Sequence, residues 1–220
     1  MDRGVRSVRS TTPADFAMTP PVIDFWFDFA STYSYPASVR ADALAGNAGV
    51  VLRYRPFLLG PIFKAQGWDT SPFNIYPSKG RYMWRDLERL CADLSIPFQQ
   101  PNPFPQNSLL AARVALAATG ESWAGDYCRA VFRAEFGEGQ RIDDPAVIGD
   151  ILRSLGASPH AIFERAQSDP VKLMLRTQTE AAGRLGIFGA PSFTTADGEL
   201  FWGTDRLEAA VAWAARRCGT

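Results

Sequence analysis

The sequence predicts an α/β fold: a βαβ half and a ββα half, with an all-helical insertion between them. Three observations predict it. An alternating apolar run, VIDFWFDF, fills residues 22–29; repeated Asp-Pro and Ser-Pro helix starts punctuate the middle; and an Asp-Gly turn joins two short strand-like runs near the end. A chain of 220 residues can bury a full core, and one domain with an insertion suits it better than two equal domains. With 46% hydrophobic and 21% charged residues and a formal net charge of zero, the composition is that of an ordinary globular protein. Neutrality argues against a large nucleic-acid footprint, and no apolar run approaches the ~20 residues that a membrane span requires.

In the first half, Ile23, Phe25, Phe27 and Phe29 alternate with Asp24, Trp26 and Asp28, a strand with bulk on both faces. Pro36 then stands in a helix's first turn, where its missing N–H costs little. Ala37, Val39, Ala41 and Leu44 carry that helix toward Gly46 and Gly49, and Val50 to Arg55 alternates again before Pro56. The simplest arrangement is a parallel pair with a right-handed crossover. Residues 56–77 read as a long Pro/Gly-rich loop bearing Phe57, Ile62, Phe63, Trp68, Phe73 and Tyr76. Its aromatics either face a ligand or pack the loop onto the core.

Helical spacing follows. Met83, Leu87, Leu90 and Leu94 mark one helix, Leu109 to Ala118 an Ala-rich second, and Trp123, Tyr127, Ala130, Val131 and Ala134 a third that Gly137-Glu138-Gly139 closes. Asp144-Pro145, Ser158-Pro159 and Asp169-Pro170 each start another, as an N-cap with proline at the first helical position. Pro191 to Thr195 and Glu199 to Trp202 then read as a hairpin turning on Asp197-Gly198. Thr204 or Asp205 is placed to cap a last helix whose apolar face is Leu207, Ala210, Val211 and Ala214. This is a thioredoxin-like layout, with 21–77 and 186–220 as its two halves and 78–185 as the helical insertion. Residues 1–20 are polar, without apolar periodicity, and read as a disordered extension or as sequence upstream of a start at Met18.

The cysteines, Cys91, Cys128 and Cys218, are odd in number and widely spaced. With no Cys-x-x-Cys and with His160 as the single histidine, neither a dithiol site nor a metal centre is expected. Idle thiols fit a cytoplasmic protein. The stretch with chemical promise is Asp28-Phe29-Ala30-Ser31-Thr32-Tyr33-Ser34-Tyr35-Pro36-Ala37, a strand-to-helix turn whose N–H groups attract negative charge, with the Ser31 and Ser34 hydroxyls beside it. Ser31 as a helix cap is the competing reading.

Four stretches, FDFASTYSYPA (27–37), FGEG (136–139), GIFGAPSF (186–193) and FWGTDRL (201–207), together with PSKGRYMWRDLERL (77–90), resemble the 2-hydroxychromene-2-carboxylate isomerases. These are kin of kappa-class glutathione transferases and of thioredoxin-fold disulfide oxidases. The resemblance covers nearly everything after residue 21. It implies that Ser31 faces the sulfur of glutathione, and that Ala190, before a cis Pro191, offers its backbone to the cysteinyl part. Trp202, Gly203, Thr204 and Asp205 would meet the γ-glutamyl end. It also matches Lys64 to a substrate-binding lysine and brings Asn74 and Ser34 near the second substrate. Thr204 stands where many relatives have Gln or Asn, Pro36 where Leu is usual, and Ala190 where Val is frequent.

A free thiol has a pKa of about 8.5, so its reactive anion needs help at neutral pH; helix-end N–H groups and a donated hydroxyl together favour it by ~1–2 kcal/mol. The implied activity is glutathione-dependent cis/trans isomerisation between a 2-hydroxychromene-2-carboxylate and a hydroxybenzylidenepyruvate type of aromatic keto-acid, by reversible thiolate addition. A kappa-like transferase using the same site, and a non-catalytic thiol- or peptide-binding module, are the alternatives. The family suggests a homodimer.

Overall fold

Alternation in the first apolar run becomes β1 (Val22–Phe27), the central strand of the sheet. Ile23, Phe25 and Phe27 are wholly buried on one face and Trp26 is nearly so on the other. β2 (Val51–Pro56) runs parallel along one edge of β1, from Val22 opposite Val51 to Phe27 opposite Pro56. β3 (Ser192–Thr195) lies antiparallel along the other edge, and β4 (Leu200–Trp202) is antiparallel to β3. The order is β2-β1-β3-β4, the mixed sheet of a thioredoxin-like α/β fold. The coordinates are a computed structural model that describes residues 20–216, so the expectations for the N-terminal extension, and for Cys218, lie outside the described residues apart from Pro20.

α1 (Ser34–Asn47) is the crossover between β1 and β2. Between β2 and β3 lie α2 (Leu59–Ala65), α3 (Pro72–Ile75), α4 (Pro77–Asp93), α5 (Leu109–Ala117), α6 (Ala124–Phe132), α7 (Pro145–Ser154), α8 (Pro159–Gln167) and α9 (Asp169–Arg184). A π-helical turn, Arg133–Gly137, extends α6. A 3-10 turn, Thr204–Arg206, leads into α10 (Leu207–Arg216). Among the described residues no helix is long and apolar enough to cross a membrane.

Both faces of β1 are covered. On one, Phe25 stacks on Phe193 with ring centres 5.2 Å apart, and Phe27 meets Phe29 and Phe132 at 5.1 and 5.5 Å. On the other, Trp26, Phe57, Ile62, Ala182 and Ile187 form a smaller core under α2 and α9. Trp26 also donates its Nε1–H to Thr194 Oγ1 at 2.9 Å, which satisfies the one polar atom of that side chain.

Some local expectations change and others hold. The stretch 56–77 is not a plain loop: Ser71 caps α3 by accepting from Phe73 N–H, and α2 starts where Leu59 N–H reaches a carboxylate distant in sequence. α1 begins at Ser34, so Pro36, its third residue, lies in the first turn as expected. Thr204 does not cap the last helix, because its buried hydroxyl has no hydrogen-bond partner. Of the Xaa-Pro starts, Asp144 caps through Ala146 N–H as expected, Ser158 is an N-cap without a side-chain bond, and Asp169 already lies inside α9, whose N-cap is Ser168.

Because Phe27 is fully buried among Phe25, Phe29, Tyr54 and Phe132, Phe27→Ala opens a cavity at the sheet centre. Urea unfolding should show a loss of about 3–5 kcal/mol.

Candidate active site

β1 ends where Asp28 turns inward. Its Oδ1 accepts from Ala30 N–H at 3.0 Å, its Oδ2 accepts from Leu59 N–H at 2.7 Å, and the Ser108 hydroxyl donates to it as well. Burial pushes the Asp28 pKa up and these three donors pull against it, with burial the larger effect. One carboxyl group thereby ties the end of β1 to the start of α2 and to the segment before α5.

The turn it fixes carries Ser31. Ser31 N–H donates to Asp28 C=O at 2.9 Å, and Ser31 Oγ–H donates to Ala190 C=O at 2.9 Å, 159 residues away. Ser31 is therefore no helix cap. The N-cap is Tyr33, whose side chain makes no capping bond, so no side chain caps the positive end of α1 beside Ser31. Ser34, the first residue of the helix, is fully buried with a hydroxyl that no described group meets. The Tyr33 hydroxyl donates to Asp86 Oδ2 at 3.1 Å, and burial beside that carboxylate raises its pKa.

The Ala190–Pro191 peptide bond is cis. Pro191 C=O accepts from Gly203 N–H at 2.9 Å, which ties the start of β3 to the end of β4. Gly203 has φ +109°, a backbone conformation that favours glycine. Trp202 lies against Gly189, where a Cβ would come within 2.6 Å of its Nε1, and meets the Phe188 ring at a tilt of 57° with ring centres 4.9 Å apart.

A cavity of about 990 Å³ opens in front of Ser31. Its walls are mainly apolar, with Tyr33, Phe63, Phe73, Phe104 and Trp202 prominent, and Lys79 is its one lysine. Of the residues predicted for the site, Ser31, Ala190 and Trp202 line this cavity together. Pro191, Gly203 and Thr204 stand behind them, and Asp205 projects to solvent, 3.4 Å from Arg206. Lys64, near the end of α2, and Asn74, whose side chain donates to Thr70 Oγ1 at 3.1 Å, are exposed and off the cavity wall. Lys79 belonged to a quoted motif, yet only the packing of α3 on α4 turns it toward the cavity. Its ammonium sits 4.8 Å from the centre of the Tyr76 ring, which stands outside the cavity wall.

Behind the site lies a second buried acid. Glu135, in the π-helical turn, is fully buried with neither carboxyl oxygen hydrogen-bonded. Burial first, then the nearby Asp28 and Asp143 carboxyls, push its pKa well above the ordinary glutamate value. The thiols are equally shielded. Cys91 and Cys128 are free and buried, and burial raises Cys91 to about 11 and Cys128 further, which makes both inert.

A model of the DSBA-like thioredoxin domain matches residues 22–212. A 2-hydroxychromene-2-carboxylate isomerase of Sphingobium xenophagum is 32% identical over 188 residues, spanning 84% of this chain and 94% of the relative. The chain belongs to the 2-hydroxychromene-2-carboxylate isomerase family. A solved structure of a 2-hydroxychromene-2-carboxylate isomerase superposes with a TM-score of 0.78 at 30% identity, covering 90% of this chain and 96% of that one. Human glutathione S-transferase kappa 1 is 28% identical over 202 residues, spanning 86% of this chain and 88% of the relative. Such relatives mark the family as one of isomerases and glutathione transferases on a thioredoxin-like scaffold.

The residues present fit a small thiol. A hydroxyl at a helix start that no side chain caps, with the backbone of the Ala190–Pro191 bend opposite, suits a thiolate and the backbone of a small peptide. The acid behind the turn makes a separate, checkable prediction. A carboxyl whose folded pKa is raised lends stability that is complete below its unfolded pKa and is lost as pH climbs through the folded value. Wild type should therefore lose stability relative to Glu135→Gln as pH rises from below 4.5 toward 8, read as diverging urea midpoints. Parallel midpoints across that range would contradict a raised Glu135.

Proposed function

We propose that the protein is a glutathione-dependent isomerase of an aromatic keto-acid, interconverting 2-hydroxychromene-2-carboxylate and hydroxybenzylidenepyruvate types. The observation that carries the reading is the Ser31–Ala190 hydrogen bond at the mouth of a large, mainly apolar cavity. Glutathione supplies a thiolate that adds reversibly to the conjugated double bond, so that the bond rotates as a single bond and no net oxidation occurs.

The chain's own groups do the rest. Ser31 turns its O–H from Ala190 C=O to the sulfur, and the start of α1 adds its positive end, so the anionic thiol is favoured near neutral pH. The Ala190 backbone pairs with the cysteinyl residue of the tripeptide, while Gly203, Thr204 and Asp205 receive its γ-glutamyl end. Aromatic side chains around Phe73 and Phe104 hold a flat ring and exclude water, which strengthens every charge interaction inside. Lys79, rather than Lys64, meets a carboxylate, since it alone of the two stands on the wall. Ser34 acts from beneath the turn and Asn74 from outside it. The same arrangement would serve a transferase if the electrophile kept the sulfur.

Three measurements test this. Glutathione added to wild type should produce a thiolate absorbance band near neutral pH, and Ser31→Ala should diminish it and lower kcat about ten- to hundredfold, the loss of one charge-assisted hydrogen bond. A band and a rate unchanged in Ser31→Ala would defeat the assignment. Lys79→Ala should raise KM for a hydroxychromene carboxylate while Lys64→Ala leaves it near wild type; the reverse pattern would restore Lys64. Turnover of a chlorinated nitrobenzene without isomerisation would favour the transferase.

A further inference from the structure

A second cavity, of about 340 Å³, lies between α5, the junction of α8 with α9 and the segment before α7. Arg113 and Lys172 face it together with the amides of Asn107 and Gln167, and Leu109 and Leu110 supply an apolar side. Arg113 is the unusual member. It is half-buried, its Nε is closed to solvent without a hydrogen-bond partner, and among the described residues it forms no ion pair. Arg129, at comparable depth, is tied to Asp126, Asp42 and the Tyr54 hydroxyl. A guanidinium whose Nε is closed to solvent and whose fork opens onto a cavity is well matched to a carboxylate or phosphate, whose oxygens fit that fork. Arg113 has no such match among the described residues.

The charges around it leave a net demand for an anion. Lys172 is paired with Asp169 at 3.3 Å, but that carboxylate is almost fully exposed on the same helix, so the pair is weak. Asp143, the one acid on the wall, is gripped from outside by Arg141 through two bonds of 2.8 and 2.6 Å. Its charge is already answered. The volume is that of a single-ring ligand at the small end of natural sites, and the leucine side suits a body less polar than phosphate.

We propose that this cavity binds a small organic carboxylate, with Arg113 and Lys172 receiving the oxyanion and Leu109 and Leu110 packing against its apolar body. The site is distinct from the one at Ser31 but shares a wall with it. Asn107 and Leu109 line both cavities, and Asn107 Oδ1 accepts from Leu109 N–H at 3.0 Å around Ser108, which holds Asp28.

Amide NMR of the full chain, titrated separately with salicylate and with inorganic phosphate, tests the assignment. Salicylate should saturably shift the amides of Leu110, Arg113, Gln167 and Lys172, with phosphate weaker. Arg113→Gln should weaken salicylate binding about tenfold or more, and Lys172→Ala about threefold. If Arg113→Gln does not fold, the Lys172→Ala arm stands by itself, because that side chain lies on an exposed helix surface. The proposal fails if no probe shifts these amides, if shifts are confined to Tyr33, Phe188 and Ala190, if phosphate alone binds, or if Lys172→Ala leaves salicylate binding unchanged.

Discussion

Asp28 sits where β1 gives way to the turn, and its two carboxyl oxygens collect backbone N–H groups from Ala30 and Leu59 and a hydroxyl from Ser108. Each of those partners opens a different wall of the large cavity: the Ser31 turn, α2, and the segment leading into α5. Placing a carboxyl group at the bottom of the fold costs solvation, and the cost is offset only if all its partners arrive together. The cavity's walls are thus held to one another through a buried polar group. Apolar packing by itself would set their separation less sharply.

The same burial shapes the site's electrostatics. Glu135 lies behind Asp28 without a hydrogen bond, and burial together with the Asp28 carboxyl discourages it from ionising. In front, the start of α1 carries no capping side chain, so its positive end stays available to a ligand. A turn with positive helix ends before it and reluctant acids behind it favours an incoming anion over one supplied from within. Among the described residues, Cys91 and Cys128 are buried with raised pKa values, so neither supplies a reactive thiolate to this turn.

Much of the scaffold was legible from local pattern. Alternation at 22–27 made a strand because both sheet faces are covered, and the Asp144-Pro145 start and the Asp197-Gly198 turn formed as their chemistry dictates. Where local signals misled, a partner distant in sequence was responsible. α2 in the stretch 56–77 has no capping side chain of its own and depends on Asp28, 31 residues earlier. Thr204 looked like a cap but turns inward. Lys64 and Lys79 could not be separated by spacing, since only the docking of short helices decides which ammonium meets the cavity.

By itself the sequence determined the α/β class, the division of the sheet between the two ends of the chain, and the turn at Ser31, because periodicity and turn chemistry are local properties. It also carried the family, through motifs whose order survives modest identity. Tertiary structure decided what Ser31 touches, which lysine stands on the cavity wall, and that Arg113 has no ion-pair partner among the described residues. The Ser31–Ala190 contact spans 159 positions, and the place of Lys79 depends on how α3 docks on α4; no local propensity encodes either.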